Sequence, residues 1–423
     1  MAIKGQRPLR ICIDARLTEG MGGVRQFIIG LADGLSDLAQ GDEEEYFFLA
    51  DEGADEYIRP YVRGACSILH GAAATRQPSW MNPIRKLPAA RSLLRKMAPV
   101  ARAVASSLPR SDGSIERADF DLIHFTTPNA FLTTVPSIYH PWDLQHLHLP
   151  QFFSVAEYQK RERAYRAFCE QARIVSVATS WIKQDVEEQY KLPAEKVQVV
   201  PVASVVSAYA APSIEDMAAA KTKFSLPDSF VFYPAQTWAH KNHAGLLESL
   251  AMLRDRDRLI VPLVSSGLLN DFFPQLEKQV RELGLTEQVK FLNFVSPVEL
   301  QCLYALCRMM VFPSKFEGWG LPLTEAFTLG VPVACSNVTS LPALADDAAL
   351  IFDPDDPEEI AEAIKRLWND ETLRRDLIAR GKKRAALFTW ERTARMFRAH
   401  YKRIARRDLT VEEQELLQAP PLV

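Results

Sequence analysis

Several things are scarce in this sequence, and each scarcity excludes something. No window among its 423 residues approaches eighteen uninterrupted apolar positions, about the length a membrane-crossing helix needs. The start, "MAIKGQRPLRICIDARL", has no apolar core of the kind a secretory leader carries. The six cysteines (Cys12, Cys66, Cys169, Cys302, Cys307 and Cys335) are scattered, with no CxxC pair. Several lie inside apolar runs and read as reduced, buried thiols, which fits a cytoplasmic chain. A basic excess is missing too: the formal net charge is -3, which argues against a general nucleic-acid binder. There is no short internal repeat and no low-complexity tract.

What is present is the composition of a soluble globular protein, 48% apolar and 24% charged, in a chain long enough for two domains. Short apolar runs alternate with helical patterns. "RICIDA", "YFFLA", "DLIHF", "RIVSVA" and "VQVVPV" read as buried strands in the first half. Val24, Phe27, Ile28, Leu31, Leu35 and Leu38 fall on one helical face after the first of them. "FVFYPA", "LIVPLVSS", "VKFLNF", "MMVFPS", "VPVACS" and "ALIF" repeat the scheme in the second half. Near-continuous apolar strands separated by helices predict parallel sheets covered on both faces. The expected organisation is an α/β first domain over 1–205, a connection over 206–226, a second domain over 227–387, and a tail over 388–423. The tail segment 388–409 is expected to form one long helix that buries Trp390 and Phe397 as it packs back across the junction.

"SKFEGWGLPLTEAFTLGVPVACS", Ser314 to Ser336, sets two glutamates, Glu317 and Glu325, eight apart around a glycine-rich loop. Pro322 suits a first helical turn and Gly330 suits a helix end. The loop then lies at the carboxyl end of a parallel strand, where open α/β sheets bind ligands. The N–H groups of Gly318, Trp319, Gly320 and Leu321 would be available to ligand oxygens. Two carboxylates beside them are acceptors suited to sugar hydroxyls.

This stretch closely resembles the E-x7-E signature of family 4 of the retaining, nucleotide-sugar-dependent glycosyltransferases, and the likeness extends over most of residues 227–400. The resemblance implies a GT-B fold, two Rossmann-like domains with parallel sheets facing a central cleft. It further implies that Glu325 holds the ribose and that Glu317 lies against the donor sugar. The diphosphate holder would be Lys241, with Asn242 beside it in "YPAQTWAHKNH". Where the family usually carries an arginine, this sequence has Gln236. "EGMGGVRQF" resembles the family's N-terminal glycine loop, so Gly22, Gly23 and Arg25 become donor-side candidates; its spacing does not fit a dinucleotide fingerprint. "SIYHPWDLQHLHLPQFF" resembles the segment that carries His-Asp near the anomeric carbon. Asp143 is carried over from it, and so is His140, although Trp142 stands directly before the aspartate. His124, at the end of "DLIHF", is expected to face the cleft.

The expected activity is transfer of a hexose, with mannose from GDP-mannose the preferred reading, to a glycan or lipid-linked acceptor in surface-polysaccharide synthesis. UDP-sugars stay open. So does a catalytically degenerate partner subunit, for which Gln236 and Trp142 are the features. No metal or other cofactor is expected, and "DRD" at 255–257 reads as a solvated charge run. Between Arg76 and Arg110 lie eight basic residues and no acidic one, interleaved with Trp80, Met81, Leu87, Leu93, Leu94 and Met97. Such a stretch either rests on an anionic membrane surface or forms a basic solvated segment beside a phosphate site. The first reading places the protein on the inner face of the cytoplasmic membrane.

Overall fold

Strands that are apolar at nearly every position can bury both faces only inside a sheet sandwiched by helices. The computed structural model describes residues 7–18, 21–38, 43–71, 108–206 and 209–423, and two such sheets are found among them. The first contains β1 (Leu9–Asp14), β2 (Glu44–Ala50), β3 (Cys66–His70), β4 (Leu122–Phe125), β5 (Ser137–Tyr139), β6 (Ile174–Val177) and β7 (Val197–Val199), in the order β3-β2-β1-β4-β5-β6-β7. The second contains β8 (Val231–Pro234), β9 (Leu263–Ser266), β10 (Val289–Phe291), β11 (Met309–Phe312), β12 (Val333–Ser336) and β13 (Ala349–Phe352), in the order β10-β9-β8-β11-β12-β13. Their ladders are parallel, with Ile11 opposite Leu122 in one sheet and Met310 opposite Val333 in the other. The strand order reverses at the β1/β4 and β8/β11 pairs, and the crevices outside their carboxyl ends are where such sheets take ligands. This is the GT-B arrangement of two Rossmann-like domains.

Three features differ from expectation. Strands β3 and β5 are not among the expected ones, because "CSILH" and "SIY" mix polar with apolar residues and show no continuous apolar run. The connection over 206–226 is not irregular throughout: Ile214–Lys223 is a helix, opened by a reciprocal capping box between Ser213 and Asp216. Gln301, from the helix Pro297–Leu306, ties it down with a side-chain bond to the Ala210 carbonyl (3.2 Å). The tail is two helices, Trp390–Ile404 and Val411–Gln418, rather than one over 388–409. A residue in the left-handed region, Arg406 at φ +57°, intervenes, and Thr410 with Glu413 caps the second helix.

The Trp390–Ile404 helix crosses the helix Gly22–Leu38 at Gly30 and Gly34. A Cβ on Gly30 would lie 1.9 Å from the Trp390 ring, so only glycine admits the indole there. The Trp390 N–H donates to the Ser204 carbonyl (3.1 Å) and the Thr393 hydroxyl to that of Pro201 (2.7 Å). Phe397 and Tyr401 are fully buried. One continuous apolar core therefore runs from Ile11 and Phe27 of the first sheet layer, through Phe397, to Phe232 and Phe312 of the second.

Candidate active site

The glycine-rich loop is shaped by its backbone. It leaves β11 and enters the helix Leu321–Leu329, with Gly320 at φ +105° before the helix and Gly330 at φ +71° after it. Behind the loop, the Glu317 N–H donates to the Thr339 hydroxyl (3.1 Å), which donates back to the Glu317 carbonyl (2.9 Å). Ser340 donates to the Gly318 carbonyl (3.0 Å). The N–H groups of Gly318, Trp319, Gly320 and Leu321 make no hydrogen bond among the described residues, which leaves a row of donors at a helix N-terminus. Trp319 contributes its backbone alone, because its ring is buried edge-on against Phe388 (5.3 Å).

Lys241 and Glu317 meet at the strand-to-helix turn after β8, where the ammonium donates to the carboxylate at 2.6 Å. Asn242 shapes that turn rather than facing a ligand. At φ +58° it caps the helix His243–Asp257, accepting from the Gly245 N–H (3.3 Å) and donating to the Pro354 carbonyl (2.7 Å). Gln236 accepts from the indole of Trp238 (3.0 Å).

The first domain closes on this loop through Trp142 and Asp143. A Cβ on Gly318 would lie 2.8 Å from the Trp142 carbonyl and 3.3 Å from an Asp143 carboxylate oxygen. Trp142 adopts φ +65°, a strained conformation for a large side chain, and its indole donates to the Thr126 carbonyl (3.0 Å). Asp143 is partly accessible at the bottom of the cleft. Desolvation raises its carboxyl above the usual value; the Gln145 N–H, Arg161 and Lys241 offset part of that rise, and Glu317 adds to it.

Glu325 is 3% exposed. Burial raises its carboxyl, against a hydrogen bond from the Tyr304 hydroxyl (2.8 Å). Gly22 and Gly23 open the helix Gly22–Leu38, with Leu321 packed close to Gly23. Arg25 is exposed, its guanidinium 5.3 Å from the Tyr57 ring.

Two expected residues lie behind the cleft rather than in it. His124 is fully buried, its Nδ1 2.7 Å from the Tyr401 hydroxyl and its Nε2 2.7 Å from Nε2 of His140. His140 is also buried, and loss of solvent lowers its imidazole to about 3. Both are neutral struts under the Asp143 segment, bound to the tail helix. One residue that sequence reasoning passed over stands beside Lys241. His240, held neutral by burial and by Lys241 and Arg161, sits directly before Lys241. It lies inside the quoted lysine segment, where a lone histidine carried no signal of its own.

Asp255 and Asp257 are paired with Arg254, Arg256 and Lys365. Among the described residues no group of three or more His, Cys, Asp or Glu side chains is placed to hold a metal ion. Nor is any helix there long and apolar enough to cross a membrane. Residues 76–107 of the basic stretch lie outside the described residues.

Two Rossmann-like domains that close a glycine-rich helix N-terminus, a lysine and carboxylates around one cleft define a GT-B glycosyltransferase. Residues 21–203 match the model of Glycosyltransferase Family 4 and residues 216–384 that of Glycosyl transferases group 1. The O-antigen chain mannosyltransferase B of Escherichia coli is 30% identical over 268 residues, 60% of this chain and 70% of that protein. The serotype-specific mannosyltransferase WbdA of Escherichia coli is 33% identical over 188 residues, 44% of this chain, a match that spans only 23% of that longer protein. The crystal structure of Anabaena HepE in complex with UDP and glucose superimposes with a TM-score of 0.67 at 19% identity, covering 93% of this chain and 99% of that one. The chain belongs to the group 1 and family 4 glycosyltransferases.

Proposed function

We propose that this chain transfers mannose from GDP-mannose, with retention of anomeric configuration, to a glycan or lipid-linked acceptor in surface-polysaccharide assembly. The observation that carries the reading is the convergence of unpaired loop N–H groups, Lys241, Glu317 and Asp143 on one point of the interdomain cleft. The loop donors and Lys241 would take the diphosphate and stabilise the charge that develops as it departs, each fixed donor being worth about 3 kcal/mol. Glu325 would take the ribose. Glu317 and Asp143 would face the sugar, and their negative charge suits the oxocarbenium character of the transferred group. In this reading protein cations and helix ends, not a metal, neutralise the leaving group. The choice of mannose rests on the mannosyltransferase relatives. A peripheral position on the inner face of the cytoplasmic membrane would bring the enzyme to a lipid-linked acceptor.

Thermal stabilisation against GDP, UDP, ADP and dTDP, with Glu325→Ala beside wild type, tests the reading. A shift with GDP alone that disappears in the variant is the expected result. A shift with UDP alone would replace the donor, and no shift with any nucleotide would favour a degenerate partner subunit.

A further inference from the structure

We infer that the start of the helix Ser180–Tyr190, with His148 beside it, is a clamp that positions the glycine-rich loop, so that Glu317 of the second domain is set against Asp143 of the first. The inference rests on the nucleotide-sugar reading above and adds positioning residues to it.

Glu317 is held twice within its own domain, by Thr339 at its backbone and by Lys241 at its carboxylate. Neither partner belongs to the first domain, so neither sets the spacing between Glu317 and Asp143. That spacing depends on how the first domain grips the neighbours of Glu317, which are Phe316 and Gly318.

On one side, Phe316 is 3% exposed and packs against two rings of the first domain. Trp181 meets it edge-on, with ring centroids 5.7 Å apart and planes at 81°. His148 lies 5.3 Å from it at 32°, and 5.6 Å from Trp181. These are separations at which aromatic rings attract one another. The imidazole of His148 is itself fixed by Asp185, one turn beyond Trp181 on the same helix, with Nε2 2.8 Å from Oδ1.

On the other side, a chain of hydroxyls reaches Gly318. Thr179 caps the helix Ser180–Tyr190, its oxygen accepting from the Ile182 N–H (3.2 Å). Its hydroxyl lies 2.8 Å from that of Ser340. Ser340 spends its own proton on the Gly318 carbonyl (3.0 Å), so Thr179 is the donor between the two. Both residues are fully buried, where losing one partner leaves the other unsatisfied.

One helix end thus holds the loop on both flanks of Glu317, and both grips cross from the first domain to the second. They exist only when the cleft is closed. The proposed holders of the nucleotide, Lys241, Glu325 and the loop N–H groups, all lie in the second domain. Breaking the clamp should therefore spare nucleotide binding and remove turnover, because small misplacements of reacting groups are costly in rate.

Wild type is to be compared with Trp181→Ala, Phe316→Ala, their double variant and Trp181→Phe. The readouts are diphosphate release from GDP-mannose and from UDP-glucose, affinity for GDP and UDP by titration calorimetry, and radius of gyration by small-angle scattering. Each alanine variant should release diphosphate on the order of 10²-fold more slowly, with nucleotide affinity unchanged and a larger radius of gyration. The double variant should be no slower than the slower single one, since either change breaks the same contact. Trp181→Phe, which keeps a ring against Phe316, should regain most of the rate. Wild-type rates in the alanine variants would overturn the proposal. So would losses that multiply in the double variant, or nucleotide affinity that falls in step with the rate. In those cases wild type still binds nucleotide and the clamp fails alone. If wild type binds neither GDP nor UDP, the nucleotide-sugar reading fails first and this one falls with it.

Discussion

A buried carboxylate is costly unless something rewards its charge, and Glu325 shows both sides of that balance. The Tyr304 hydroxyl donates to it at 2.8 Å, but burial dominates and the carboxyl is raised above the usual glutamate value. The sign of the pH effect follows. As pH rises, the unfolded chain loses this proton before the folded one does. The contribution of Glu325 to stability therefore falls between the unfolded and the folded pKa. Glu325→Gln should flatten the change in melting temperature between pH 5 and pH 7 while abolishing the shift produced by nucleotide. A variant whose pH dependence matches wild type would show that burial does not set the behaviour of this group. The place of Glu325 in a helix that follows a strand and a glycine-rich loop was legible in the sequence, because Pro322 and Gly330 mark that helix's two ends; its ribose role rests on the family resemblance. His240, directly before Lys241, had no such signal, since a lone histidine reads equally well as core or surface until its burial is known.

At the scale of elements, the tail helix Trp390–Ile404 decides how the two domains are joined. Its indole fills the space left by Gly30 and bonds to Ser204, while Arg398 pairs with Glu44 at 2.7 Å. Truncating Trp390 to alanine should cost about 3–5 kcal/mol, the range for removing a large buried aromatic, as read from urea unfolding. A cost below about 0.5 kcal/mol, typical of a surface substitution, would mean that the helix does not anchor here. That Trp390 and Phe397 had to be buried was legible from their helical spacing. Their partner was not, because a glycine pair in the helix Gly22–Leu38 has no meaning until another helix lies across it. The capping box Ser213–Asp216 was legible in principle, and its helix was overlooked because the segment between the domains is rich in small residues that carry no apolar period.

At the scale of the whole molecule, the cleft is a contact between surfaces that belong to different sheets. Gly318 faces the Trp142 carbonyl, the Thr179 and Ser340 hydroxyls meet at 2.8 Å, and His148 lies 5.3 Å from Phe316. Gly318→Ala would put a methyl against the Trp142 carbonyl and hold the domains apart. Turnover should fall on the order of 10²-fold, as small misplacements of reacting groups do, with each domain still folded and a larger radius of gyration in small-angle scattering. Unchanged turnover would show that this approach is not part of the productive state. The sequence by itself determined the two parallel α/β sheets, the strand-to-helix turns that bear Lys241 and Glu317, and the family, because each depends on residues close together in the chain. Tertiary structure alone decided that His124 and His140 stand buried behind the cleft and that Asn242 is a cap. Those facts depend on burial and on the meeting of two domains, and neither quantity is local in sequence.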